Sequence, residues 1–248
     1  MRNKKPLVGF ERHIELDWLN KTANWVIEKR STKEIHGLID EFLEPLIKGD
    51  TSRRKTKNVL SGAWVKSGSE EREFKALAEK LYIHSNRDEK IAIHFGMLVA
   101  SYPFFYELSK IAGRLFRLQD SIPNDQFYHR VVQVFGDRDS IKRAAARYLQ
   151  SLSQWGLLNT ADKSVIKTSK KVSFGNPELI TWMLASVFFS LGESRLTIEE
   201  LKADPAWFPF EINTDNFKLG SVDFLEVLHQ GYGNTVIGLK KQQELMQR

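Results

Sequence analysis

Gly136 to Phe174 reads GDRDSIKRAAARYLQSLSQWGLLNTADKSVIKTSKKVSF. This stretch decides the fold. It predicts an amphipathic helix from Asp139, with Asp139 as its cap, stopped at Trp155-Gly156. A short, basic, β-rich hairpin follows, with Leu157–Asn159 and Val165–Lys167 as strands and Thr160–Lys163 as the turn. Ile141, Ala145, Tyr148, Leu149 and Leu152 recur at helical spacing and are expected to face a core. Lys142, Arg143, Arg147 and Gln150 fall on the opposite side, with Ala146 between them. A helix with a cationic outer face followed by a basic hairpin is the order of a recognition helix and a wing.

Charge points to the same region. The chain carries 37 Lys+Arg against 31 Asp+Glu, net +6. Ser109 to Val172 alone has net +7, Met1 to Leu108 net +3, and Ser173 to Arg248 net −4. Localised positive charge is the electrostatic footprint of nucleic-acid binding. Its bland counterpart is a solvated helix face. The densest cluster lies elsewhere, at Arg53, Arg54, Lys55 and Lys57. It falls at the start of a helix, where cations oppose the macrodipole. That small cost favours a phosphate-contact role.

Several chemistries are excluded. There is no cysteine, hence no disulfide and no thiolate ligand or nucleophile. The six histidines, His13, His36, His84, His94, His129 and His229, show no i+3 or i+4 pairing for a metal. Phosphate-binding glycine loops, dinucleotide fingerprints, zincin helices and nucleophile elbows are all missing from the sequence. No catalysis, cofactor or metal is expected. His94, inside an apolar run, reads as a core histidine, and Trp155 as a plug between helix and wing. Phe104 to Tyr106 and Trp207, Phe208 and Phe210 read as core. Ile91–Tyr106 and Leu179–Leu191 fall short of the ~20 residues of a membrane span. No secretory signal follows Arg2, Lys4 and Lys5, so a cytoplasmic protein is expected.

Along the chain, Leu16–Glu28 is amphipathic, and Ser31 to Glu34 predicts a capping box. Asp88–Leu118 predicts one or two long helices broken near Pro103. Ile122–Asp125 reads as a turn and Asp125–Phe135 as a short helix. Asn176 caps an apolar helix opened by Pro177, and Thr197 to Glu200 is a second capping box. Ser221–His229 reads as a helix and Thr235–Leu239 as a strand. The expected organisation is an N-terminal helical domain over 1–101, a winged-helix unit over 102–174 and a C-terminal α/β unit over 175–248. The last has an order that suggests a second winged-helix-like fold.

Three segments carry a family resemblance: RRKTKNVL (Arg53–Leu60), IAIHFGMLVASYPFFYELSKIAGRLFRL (Ile91–Leu118) and SIKRAAARYLQSLSQWGLL (Ser140–Leu158). Together they resemble the small BrxA-type proteins of BREX phage-defence loci, a largely helical DNA-binding family. The resemblance implies non-catalytic DNA binding in support of a larger bacterial defence complex.

The expected fold is therefore mainly α, with small β-wings. The expected partner is double-stranded DNA, with other proteins of a defence complex as further partners and no membrane. Lys142, Arg143, Arg147 and Gln150 would face the groove. Lys163, Lys167, Lys170 and Lys171 would reach the adjacent backbone, and Arg53, Arg54, Lys55 and Lys57 would add affinity without sequence preference. The alternatives are a protein-interaction adaptor, working through the acidic C-terminal third, and an RNA-binding protein.

Overall fold

Both capping boxes read from the sequence form. The Ser31 hydroxyl accepts from the Glu34 amide while the Glu34 carboxylate accepts from the Ser31 amide, opening α2 (Thr32–Leu43). Thr197 and Glu200 do the same for α11 (Ile198–Lys202). A third box, Asn86 with Glu89, opens α5 (Arg87–Ser101). These details come from a computed structural model, which describes residues 9–69, 71–162, 164–192, 195–213, 222–230 and 234–240. The protein is mainly helical with small sheets.

α5 is the central helix. Every residue from Ile91 to Ala100 is buried, as expected of a helix apolar on all sides. It packs against α3 (Asp50–Trp64), α4 (Arg72–His84) and α9 (Pro177–Ala185), while α1 (Leu16–Ile27) packs on α2 and α3. At Tyr102-Pro103 the chain turns by 116° into α6 (Pro103–Phe116). Proline is tolerated at the first helical position and forces extended backbone on the residue before it. No single helix among the described residues is long and apolar enough to cross a membrane.

The decisive stretch folds onto α6. The order is α6, β1 (Ser121–Pro123), α7 (Asn124–Phe135), α8 (Asp139–Gln154), β2 (Leu158–Asn159) and β3 (Val165–Thr168). The three strands form an antiparallel sheet in the order β1-β3-β2. Two local expectations are corrected here. Ile122–Asp125 is not a turn: Ile122 is fully buried opposite Ile166 and makes β1 the third strand. Asp139 does not cap α8: Arg138 holds the cap position, and Asp139 sits in the first turn, where a carboxylate favours the macrodipole. The predicted stop does form. Gly156 adopts φ +79°, the Leu157 amide donates to the Leu152 carbonyl at 2.9 Å, and the Gly156 amide donates to Ser153 at 3.0 Å. That pair of bonds is a Schellman cap.

The C-terminal third repeats this strand order. α9 and α10 (Val187–Leu191) lead to β5 (Leu196–Thr197), α11 and a 3-10 turn at Pro205–Trp207. β7 (Leu225–Gln230) and β8 (Asn234–Leu239) then close a sheet in the order β5-β8-β7. The first strand pairs with the last in both sheets. Where the first unit has α8, the second has only the 3-10 turn among the described residues. Of the helix expected over Ser221–His229, Ser221 lies outside the described residues and the rest is not helical: Leu225 to Gln230 pair along their whole length with β8. β4 (Val172–Phe174) pairs in parallel with β6 (Phe210–Ile212), a contact across residues with no local signal.

The core runs through all of this without a break, from Phe10 to Ile237. The position between residues 101 and 102 is the bend between two packed helices. Past residue 174, Trp182 stacks on Phe74 at 4.6 Å and donates to its carbonyl at 2.9 Å. Gly113 of α6 touches the Pro205 carbonyl so closely that a Cβ there would lie 1.8 Å from the oxygen.

Candidate nucleic-acid interface

α8 divides as its sequence predicts. Ile141, Ala144, Ala145, Tyr148, Leu149, Ser151 and Leu152 are buried. Tyr148 stacks on Phe127 and meets Phe105 edge-on, and its hydroxyl donates to Ser109 at 3.0 Å. Burial raises the Tyr148 hydroxyl well above its ordinary pKa, so it remains a neutral packing group. On the opposite side Lys142, Arg143, Arg147 and Gln150 are all exposed. The Arg147 guanidinium donates to Gln150 Oε1 at 2.7 Å. Lys142 pairs with Asp137 at 2.6 Å, and that hydrogen bond raises its pKa. Arg143 makes no ion pair among the described residues. Asp137 and Asp139 put negative charge at the start of the helix, so the attractive surface is its middle, from Lys142 to Gln150.

The hairpin places Lys167 on the outer face of β3, opposite Ser121 and Asn159, while its neighbour Ile166 is buried. Lys163 lies outside the described residues. Lys170 and Lys171 are exposed on the connection to β4. Lys171 lines a cleft of about 360 Å³ with Arg117, Asp120, Lys202 and Phe208. It therefore leaves the hairpin for the junction with the C-terminal third.

The second basic cluster is largely neutralised from within. Arg53 pairs with Asp50, Lys55 with Glu11 at 2.9 Å and Lys57 with Asp40 at 2.6 Å. Arg54 is exposed with no ion pair among the described residues.

A strap without helix or strand, Gly9 to Glu15, bent at Arg12, joins the two basic regions. Phe10 is fully buried against Phe105 and Tyr102. The Ile14 amide donates to Ser151 Oγ, the Trp155 indole donates to the Ile14 carbonyl and the Leu16 amide donates to Gln154 Oε1, each at 2.9 Å. Trp155 is buried, as expected, and its indole ties the end of α8 to the strap. Burial lowers the His13 pKa; Glu15 opposes that shift, and Arg147, close enough to act on it, adds to it. Sequence reading missed this segment. Ser151 and Gln154 look like ordinary surface residues, and nothing nearby marks them as acceptors for a chain 137 or more positions away.

Among the described residues no group of three or more His, Asp or Glu is placed to hold a metal ion. His94 is fully buried, with both ring nitrogens engaged by Trp64 and Asn20. Comparison with protein-family models, with curated proteins and with solved structures finds no match to this chain.

Proposed function

We propose that Pro103 to Thr168 is a winged helix-turn-helix unit that binds double-stranded DNA through α8 and does no chemistry on it. The observation that carries this reading is the two-sidedness of α8. One side is locked into the core by Tyr148, Leu149 and Leu152, and the other presents Arg143, Arg147 and Gln150 on a rigid helix. The order helix–strand–helix–helix–strand–strand, with the first strand joined to the last, supports it. Arg143 and Arg147 would lie against the phosphates lining the groove, and Arg and Gln are side chains also able to make paired hydrogen bonds to base edges. Lys142 and Lys167 reach phosphate and fix position without reading sequence. A place as an accessory DNA binder in bacterial phage defence rests on the sequence resemblance alone.

The test is binding of a labelled duplex by the parent and by Arg143→Glu with Arg147→Glu, over a series of salt concentrations. Two lost phosphate contacts remove about 1.8 from the slope of log affinity against log salt. Both residues are exposed, so the thermal midpoint should hold, with stability within about 0.5 kcal/mol of the parent. A folded double variant with unchanged affinity and unchanged slope overturns the reading. Single-stranded DNA and duplex RNA in the same assay separate DNA from RNA recognition.

A further inference from the structure

The strap connects two regions that sequence analysis treats separately. Its Glu11 end is held at Lys55 of α3 by a 2.9 Å ion pair, and its Ile14 end is held at Ser151 and Trp155 of α8. Three residues of extended chain span at most about 10 Å. The basic start of α3 and the basic face of α8 are therefore neighbours, with Arg12 and His13 between them. Arg12 is half-buried, and its Nε is buried without a hydrogen-bond partner. About 10 Å of duplex axis carries roughly three phosphates on one strand. The reach of the strap is thus that of a short run of one DNA backbone.

We infer that α8, the strap and the start of α3 form one phosphate track, in which a single DNA strand crosses Arg147, then Arg12, then Lys55 and Arg54, and displaces Glu11 from Lys55. This rests on the DNA-binding reading of α8 and extends it. Glu11 acts against binding. Its carboxylate occupies Lys55 in the free protein and repels the incoming phosphate. Phe10 packs on Tyr102, whose hydroxyl donates to α3 carbonyls, and Ile14 is bonded to α8, so the strap stays in place when Glu11 leaves Lys55. Lys57 is turned toward Asp40 of α2 and takes no part.

Two variants test the track, each measured beside Arg143→Glu with Arg147→Glu on the same labelled duplex. Glu11→Gln releases Lys55 and leaves the strap held by buried Phe10 and by the Ile14 bonds to Ser151 and Trp155. Affinity should rise by about 1.5- to 5-fold, the range of an exposed ion pair, with little change in salt slope, because Lys55 meets phosphate in both proteins. Arg12→Gln should weaken binding, with a slope shallower by about 0.9. Thermal melts confirm that each variant is folded. If Arg12→Gln lowers stability, Glu11→Gln alone still decides, because its expected effect is a gain. Unchanged binding in Glu11→Gln, with binding lost in the α8 double variant, overturns the track and leaves the α8 reading intact. Unchanged binding in the α8 double variant overturns both, because the track has α8 as one end.

Discussion

The indole N–H of Trp64 donates to Nδ1 of His94 at 3.1 Å, deep in the core. That bond assigns the imidazole proton to Nε2, which donates to Asn20 Oδ1 at 2.9 Å. The same oxygen accepts the Tyr82 hydroxyl at 2.7 Å. The network satisfies a neutral imidazole and has no place for a second proton. Burial, with a smaller contribution from Lys90, lowers the His94 pKa to about 3.

A pH dependence follows. In the unfolded chain His94 titrates near its ordinary 6.5. Between that value and about 3 the unfolded state binds a proton that the folded state refuses. The contribution of His94 is whole above about pH 6.5 and is lost as pH falls, by about 1.4 kcal/mol per unit. Urea denaturation at pH 7.5 and pH 5 should show this fall. A His94→Gln variant, less stable at neutral pH, should show a clearly smaller one. An equal fall in the variant assigns the dependence to other groups.

Lys75 is 5% exposed and closes the end of α3. Its ammonium donates to the carbonyls of Gly62, at 3.0 Å, and Lys66, with Glu71 at 3.3 Å. A cation at a helix C-terminus satisfies carbonyls that have no partner within the helix. Lys75→Met keeps the stem and removes the donors. We expect a loss of roughly 1–3 kcal/mol, read from the urea midpoint.

Two glycines should respond oppositely to alanine. At Gly113 the new methyl meets the Pro205 carbonyl, so backbone must shift. The expected cost is about 1–3 kcal/mol or more. Gly37, exposed inside α2, has nothing within 4 Å of an added Cβ. Gly37→Ala should therefore gain about 0.5–1 kcal/mol from helix propensity. Thermal melts of the two variants settle both expectations.

The four basic residues at the start of α3 should not contribute equally to DNA binding. Lys57 is held by Asp40, whereas Arg54 is exposed with no ion pair among the described residues. Arg54→Gln should weaken duplex binding and flatten the salt slope by about 0.9, while Lys57→Gln changes little. Equal losses at both positions contradict this division.

The acidic C-terminal third is not removable. Ending the chain after Phe174 takes away Trp182, which stacks on Phe74 and packs against Gly96 of α5. It also takes away β6, the partner of β4. The truncated chain should lack a cooperative thermal transition. Its loss of DNA binding would then report unfolding and not a missing contact. A cooperative melt near that of the full chain would show that the shared core matters less than its continuity implies.

The elements legible in the sequence are those whose hydrogen bonds close within a few residues. The capping boxes at Ser31 and Thr197, the Asn176 cap and the stop at Gly156 all formed as read. The two faces of α8 were legible for the same reason, since a 3.6-residue period is a local property. Tertiary structure decided the rest. β1, β4 and β6 are three residues long, too short to show a period, and each takes its hydrogen bonds from a distant segment. Ser221–His229 satisfied a helical pattern, yet pairing with β8 overrode it. Charge followed the same rule. Composition located the basic clusters, but Glu11, Asp40 and Asp50 determined which of those cations remain available. The sequence by itself therefore determined a two-faced helix and where positive charge gathers. Only the fold decided that the Gly9–Glu15 segment lies against α8 and brings the second cluster beside it, because a contact between residues 14 and 151 leaves no trace in the neighbours of either.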